Sequence, residues 1–229
     1  MSGEKSTIRV DIQGLRAIAV SLVVLDHAGV PGFSGGYVGV DIFFVISGFL
    51  ITSHLVRQVE RTGRVSFAEF YARRARRLLP AALTVVALSV VAGVLFLPPL
   101  VSRGLWTDAV AAALYVPNIL FAERGVNYLA ETAPSIFQHY WSLGVEEQFY
   151  LVWPLVLVVI WRVTRGRRLW LSIAVLVGLS FAACLFVAAR QQPYAFFLLP
   201  TRAWELGAGA LLAVVVTAGR RASTRAALS

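Results

Sequence analysis

Charge is scarce in this chain. Of its 229 residues only 14% are Asp, Glu, Lys or Arg, against about a quarter in an ordinary soluble domain, while 58% are apolar. That balance excludes a soluble globular fold and predicts an all-α, polytopic transmembrane helical bundle in a cell membrane. Cysteine is nearly absent. The single Cys184 sits inside an uninterrupted apolar run, so an intrachain disulfide is excluded, and no Cys/His cluster has the spacing of a structural zinc site. Acidic residues are outnumbered, twelve against twenty-one Lys and Arg, for a formal net charge of +9. The excess cations lie between apolar runs rather than along one face, which argues against nucleic acid as a partner and for positive-inside topology in membrane lipid. Tandem repeats and low-complexity tracts are lacking too.

Six apolar stretches are long enough to be spans. The first, Val10 to Val30, follows Lys5 and Arg9 and lacks a small-x-small cleavage site, so it reads as a retained helix with a cytoplasmic N-terminus. A Pro- and Gly-rich turn over 31–36 leads to the second, Tyr37 to Val56, where Ser47-Gly48 offers a small surface for close helix contact. Residues 57–79 combine Phe67, Phe70 and Tyr71 with Arg73, Arg74, Arg76 and Arg77, the pattern of a basic amphipathic segment lying on the cytoplasmic membrane surface. The third span runs from Leu78 to Leu100. Gly104 to Ala122 is interrupted by Asp108 and Pro117 and is expected to be re-entrant or interfacial. Residues 123–140, with Asn127, Glu131 and His139, form an extracytoplasmic loop. The fourth, fifth and sixth spans are Trp141 to Trp161, Leu169 to Ala189 and Ala195 to Ala218, with a loose cytoplasmic tail over 219–229.

Ionisable residues inside these spans carry the functional signal, because a side chain that faces lipid with its charge costs several kcal/mol. Arg16 and His27 are separated by a spacing that returns to within about 20° of the same helix face, roughly 16 Å further along. Asp41 is expected at the depth of His27. Glu146 and Glu147 sit on neighbouring faces of the fourth span, so only one of them is expected to face any given cavity, and Glu146 shares its face with Tyr150. Arg202 and Glu205 are one turn apart, placed to neutralise each other or to bind a ligand. The arginines of 73–77 serve either as a topology anchor or as a phosphate site, since guanidinium binds phosphate oxygens bidentately.

Five ordered motifs resemble the acyltransferase type 3 family, multi-pass membrane enzymes that O-acylate carbohydrates. They are Val10-Asp-Ile-Gln-Gly-Leu-Arg16 with His27 beyond it, Gly36-Tyr-Val-Gly-Val-Asp41 leading to Ser47-Gly48, and Phe70-Tyr-Ala-Arg-Arg-Ala-Arg-Arg-Leu-Leu-Pro80. Trp141-Ser-Leu-Gly-Val-Glu-Glu-Gln-Phe-Tyr150 and Pro200-Thr-Arg-Ala-Trp-Glu205 complete the set. The resemblance implies one membrane acyltransferase domain over 1–229, shorter at its C-terminal end than the family's members, so that the chain is expected to be a fragment, to work with a partner that supplies further helices or a C-terminal domain, or to be inactive. It implies an Arg16–His27 pair on the first helix, and a basic motif at Arg73, Arg74, Arg76 and Arg77 that binds the donor. It also implies acyl-CoA, usually acetyl-CoA, as the donor substrate with no permanently bound cofactor.

The chemistry then follows from the residues. Sugar hydroxyls are weak nucleophiles, and histidine is the side chain whose ordinary pKa suits a general base near neutral pH. His27 takes that role, with Asp41, Glu146 or Glu147 orienting the imidazole and Arg16 on a donor phosphate or carbonyl oxygen. His139, Tyr150, Arg202 and Glu205 are candidates for binding the carbohydrate acceptor. Two other readings of the same charges remain: a proton or small-solute transporter, and a non-catalytic assembly component.

Overall fold

The computed structural model describes residues 9–98, 104–128 and 135–226. The described residues form nine helices and no strand: α1 (Val10–His27), α2 (Val38–Thr62), α3 (Phe67–Phe96), α4 (Leu105–Ala113), α5 (Pro117–Glu123), α6 (Tyr140–Thr164), α7 (Leu169–Ala188), α8 (Gln192–Phe197) and α9 (Leu199–Ala226). Among them α2, α3, α6, α7 and the stretch Gln192–Gly219 are long and apolar enough to cross a membrane. The first expected span, α1, is shorter and less apolar than these: it carries Asp11, Arg16 and Asp26 within 18 residues. At about 1.5 Å per residue it extends roughly 27 Å, close to the hydrocarbon thickness.

Helix boundaries differ from expectation where cations were taken as breaks. Residues 57–79 are not one surface helix. α2 continues through Arg57 to Thr62 and stops at Gly63, whose φ of 70° is left-handed. α3 then begins at Phe67 and runs unbroken through the arginine cluster and Pro80 into the third span, because Ala, Arg and Leu are all strong helix formers. The arginines therefore ride on the first turns of a spanning helix. The end of that expected span at Pro99 and Leu100 lies outside the described residues, as does Glu131 of the loop. The stretch 104–122 is two short helices, α4 and α5, separated at Tyr115, whose φ is 58°. Neither is long enough to cross.

Two helix contacts set the frame. α1 rests on α2 at Gly39, where a β-carbon would stand 2.4 Å from the Ala19 carbonyl oxygen. α2 crosses α9 with backbones nearly touching: a β-carbon on Gly48 would lie 1.8 Å from the Leu206 carbonyl oxygen, and one on Gly209 1.9 Å from that of Val45. Small residues permit this approach, on which membrane helix packing depends. α6 is fastened to α2 by Trp153, whose indole N–H donates to Thr52 Oγ1 at 2.8 Å, and to α3 by the Tyr71 hydroxyl, which donates to the Leu151 carbonyl at 2.6 Å. The α4–α5 break is held against α6 by a reciprocal amide pair. Asn118 and Gln148 donate to each other at 3.3 and 2.8 Å, and Gln148 also satisfies the Tyr115 carbonyl at 3.0 Å. By contrast α3 and α7 bury little of themselves inside the bundle, leaving apolar faces for lipid.

Candidate active site

A cavity of about 910 Å³ opens between α1, α2, α3 and α6. The antiparallel packing of α1 on α2 gives it two ends. At one, near the C-terminus of α1 and the N-terminus of α6, its wall holds His27, Tyr128 and His139. At the other, near the C-terminus of α2 and the start of α3, it holds His54, Arg73, Arg74 and Arg77. Arg16, Ser47, Glu146, Glu147 and Tyr150 line the stretch between them. The stripe on α1 is therefore a wall of this cavity, with His27 at one end and Arg16 toward the other.

The protonation pattern of His27 follows from its partner. Nδ1 lies 2.8 Å from the carbonyl oxygen of Val23, one turn earlier on α1. A carbonyl only accepts, so Nδ1 carries the proton in the neutral imidazole and Nε2 presents a lone pair. The Tyr128 hydroxyl stands 3.4 Å from that Nε2. The orienting group is thus a backbone carbonyl, where Asp41, Glu146 or Glu147 was expected. His139, just before α6, lines the same end, and burial together with the nearby His27 pushes its imidazole below the ordinary range.

Both glutamates face the cavity, against the expectation that only one would. The cavity reaches across two faces of α6, one turned to α2 and the other to α3. Glu146 Oε1 accepts the Ser47 hydroxyl from α2, and the Tyr150 hydroxyl at 3.0 Å as the shared helix face predicts. Glu147 Oε1 receives Arg74 from α3 at 2.5 Å, and the Arg74 guanidinium lies 3.5 Å over the Tyr150 ring. The arginine cluster divides accordingly. Arg73 pairs with Glu69 on its own helix, Arg74 with Glu147, and Arg76 is not part of the wall. Arg77 and Arg16 line the cavity with no ion-pair partner among the described residues. Unpaired guanidinium facing empty volume is the chemistry of an anion site.

The remaining expected site residues lie elsewhere. Asp41, Arg202 and Glu205 are not part of the cavity wall. Arg202 donates to Asp41 Oδ1 at 2.7 Å and pairs with Glu205 Oε1 at 2.8 Å, with its guanidinium 5.2 Å from the Phe196 ring centre and 5.6 Å from that of Trp141. The Gly48 and Gly209 contact brings Asp41 on α2 against Arg202 on α9, so one guanidinium bridges two carboxylates within the α2–α9 seam. Of the two roles open to Arg202 and Glu205, the geometry is that of a structural pair. Four polar wall residues fall outside the expected site: Ser47, His54, Tyr128 and Ser142. His54 carries a sequence signal as an ionisable residue near the inner end of the second span, and Ser47-Gly48 carries one for helix contact. Gly48 does meet α9, while the Ser47 hydroxyl turns to Glu146.

Comparison with known proteins adds the family. The sequence profile of the acyltransferase domain family matches residues 9–226. The chain is 38% identical over 208 residues to the peptidoglycan O-acetyltransferase OatA of Listeria monocytogenes, covering 89% of this chain and 33% of that protein. It is 35% identical over 206 residues to the O-acetyltransferase OatA of Staphylococcus aureus, covering 89% of this chain and 34% of that one. The chain thus spans about a third of the length of the curated relatives it matches. No solved structure matches. With the family profile covering nearly all of the helical bundle and its cavity, this multi-pass membrane protein belongs to the acyltransferase domain family.

Proposed function

We propose that the chain moves an acyl group, in the first instance acetyl, from cytoplasmic acyl-CoA to a hydroxyl of an extracytoplasmic carbohydrate, with glycans of the peptidoglycan class as the first acceptors to test. In this reading the N-terminus is cytoplasmic and the arginine end of the cavity faces the cytoplasm. Arg16 and Arg77 meet the donor's anionic groups, with Arg73 and Arg74 beside them. His27 Nε2 takes the proton of the acceptor hydroxyl, the hydroxyl oxygen attacks the thioester carbonyl, and the C–S bond breaks. The imidazolium returns its proton to the departing thiolate. Glu146 and Glu147 hold Tyr150 and Arg74 in the wall instead of orienting the base.

One observation carries this reading: a histidine with its tautomer set by a backbone carbonyl shares a cavity with two arginines that have no ion-pair partner among the described residues. Binding of labelled acetyl-CoA to the purified protein tests it. Saturable binding that weakens with salt and with Arg77→Ala supports the assignment. Absence of binding, with proton or solute flux in vesicles instead, would establish the transporter reading. Comparing the envelope glycans of a deletion strain and its parent for lost O-acyl groups identifies the acceptor. Restoration of activity by further helices supplied in trans tests the expected partner.

A further inference from the structure

Tyr128 stands where an acceptor hydroxyl must arrive. Its phenol oxygen is 3.4 Å from the one nitrogen of His27 that is free to accept a proton, and both side chains line the cavity. A direct O–H···N bond is ordinarily nearer 2.8 Å, so the two groups are spaced more loosely than a bonded pair. The spacing suits a shared third atom. An oxygen about 2.8 Å from each sits comfortably at the apex of a triangle whose base is this separation.

The ring is not free to swing. It stacks on Phe196 of α8 with centroids 4.8 Å apart and planes at 23°, and meets the edge of Trp141 at 5.8 Å. Trp141 is buried at the start of α6, two residues past His139. Three separate elements therefore aim the phenol at Nε2: the loop that carries it, α8 and α6. Burial raises the phenol above its ordinary range, so it remains a hydrogen-bond donor at neutral pH.

We propose that Tyr128 is an acceptor-binding residue of this site, its hydroxyl and His27 Nε2 holding the acceptor hydroxyl between them. The phenol donates to a lone pair of the acceptor oxygen, while that oxygen's own proton points at Nε2. The acceptor is then oriented before its proton leaves, with the remaining lone pair turned toward the acyl carbon. The assignment rests on the acyl-transfer reading above and names the group that receives the carbohydrate hydroxyl. It also accounts for the aromatic setting of the loop, which positions one polar atom on a rigid support.

The test is steady-state transfer of label from acetyl-CoA to a soluble peptidoglycan oligosaccharide, using the full-length protein in its own membrane, for wild type, Tyr128→Phe and His27→Ala at equal abundance. Tyr128→Phe keeps the stack on Phe196 and removes only the hydroxyl. The expected result is an acceptor KM raised about tenfold, as loss of one hydrogen bond to a substrate hydroxyl implies, with the donor KM unchanged. An unchanged acceptor KM, or donor and acceptor KM rising together, overturns the assignment. If His27→Ala is inactive while Tyr128→Phe matches wild type, Tyr128 alone is refuted. If wild type transfers no label, or His27→Ala transfers it as wild type does, the acyl-transfer reading of this site falls and the assignment falls with it.

Discussion

Two sets of intramembrane charge look alike in the sequence and differ in kind in the structure. Asp41, Arg202 and Glu205 form a closed set: one guanidinium between two carboxylates, ringed by Phe44, Trp141 and Phe196, in the seam where α2 and α9 touch. Arg16, His27, Arg77 and the Arg74–Glu147 pair face a cavity, and two of those arginines have no ionic partner among the described residues. Burying a charge is costly. In the closed set one guanidinium between two carboxylates offsets that cost. In the open set His27 and Arg77 are exposed and Arg16 half-buried, and they face a volume that a ligand can fill, which separates a binding site from a structural ion cluster better than the presence of charge does.

The comparison breaks most visibly at Arg202. Removing it leaves two carboxylates in the α2–α9 seam without a counter-ion, so Arg202→Ala is expected to cost about 3–5 kcal/mol, measured as loss of folded protein in detergent melts. Replacing Asp41, Arg202 and Glu205 together by apolar residues of similar volume is expected to restore most of that loss. Failure of the triple variant to recover would give the triad a role beyond structure. Next in size is Gly209→Leu. The seam has no room for a side chain against the Val45 carbonyl, and overpacking of about 1–3 kcal/mol or more should appear as a lowered melting temperature.

On the open side, Arg77→Ala is expected to weaken acetyl-CoA binding about tenfold or somewhat more, the loss belonging to a charged hydrogen bond, with little change in melting temperature. Arg76→Ala, outside the wall, should change binding much less. Equal effects at 76 and 77 would show that the arginines act as a diffuse surface charge instead of a lined site. The smallest effect concerns His139. Its folded-state pKa lies below the ordinary imidazole value, so the unfolded chain takes up a proton first as pH falls. Stability attributable to this group is complete above the ordinary value and is lost on acidification below it. Thermal melts from pH 7 to 5 should show a decline that His139→Gln reduces.

What was legible in the sequence follows from the range over which each signal acts. Helical periodicity is local, and it correctly placed Arg16 and His27 on one stripe and Glu146 with Tyr150 on one face. The apolar runs gave the spanning helices. Continuity of α3 through its arginines is hidden in the sequence because dense charge resembles a boundary, although nothing between Phe67 and Leu79 disfavours a helix. Partners across the bundle carry no such local mark. Asp41 and Arg202 lie 161 positions apart, and their meeting depends on two glycines that let α2 and α9 touch. Tyr128 is 101 positions from His27 and reaches it through the packing of Phe196 and Trp141, for which no spacing rule exists. The carbonyl that orients His27 leaves no mark in the sequence for another reason: every helix offers one a turn back, so no carboxylate partner is required.

The most direct test of the account is the transfer of label from acetyl-CoA to cell-envelope glycan by membranes holding equal amounts of wild type and His27→Ala. Labelling by wild type is expected, with a fall of about 10²–10⁴-fold in the variant, as for loss of a general base, and an unchanged melting temperature. Equal labelling by the two would remove His27, and with it this cavity, from the chemistry.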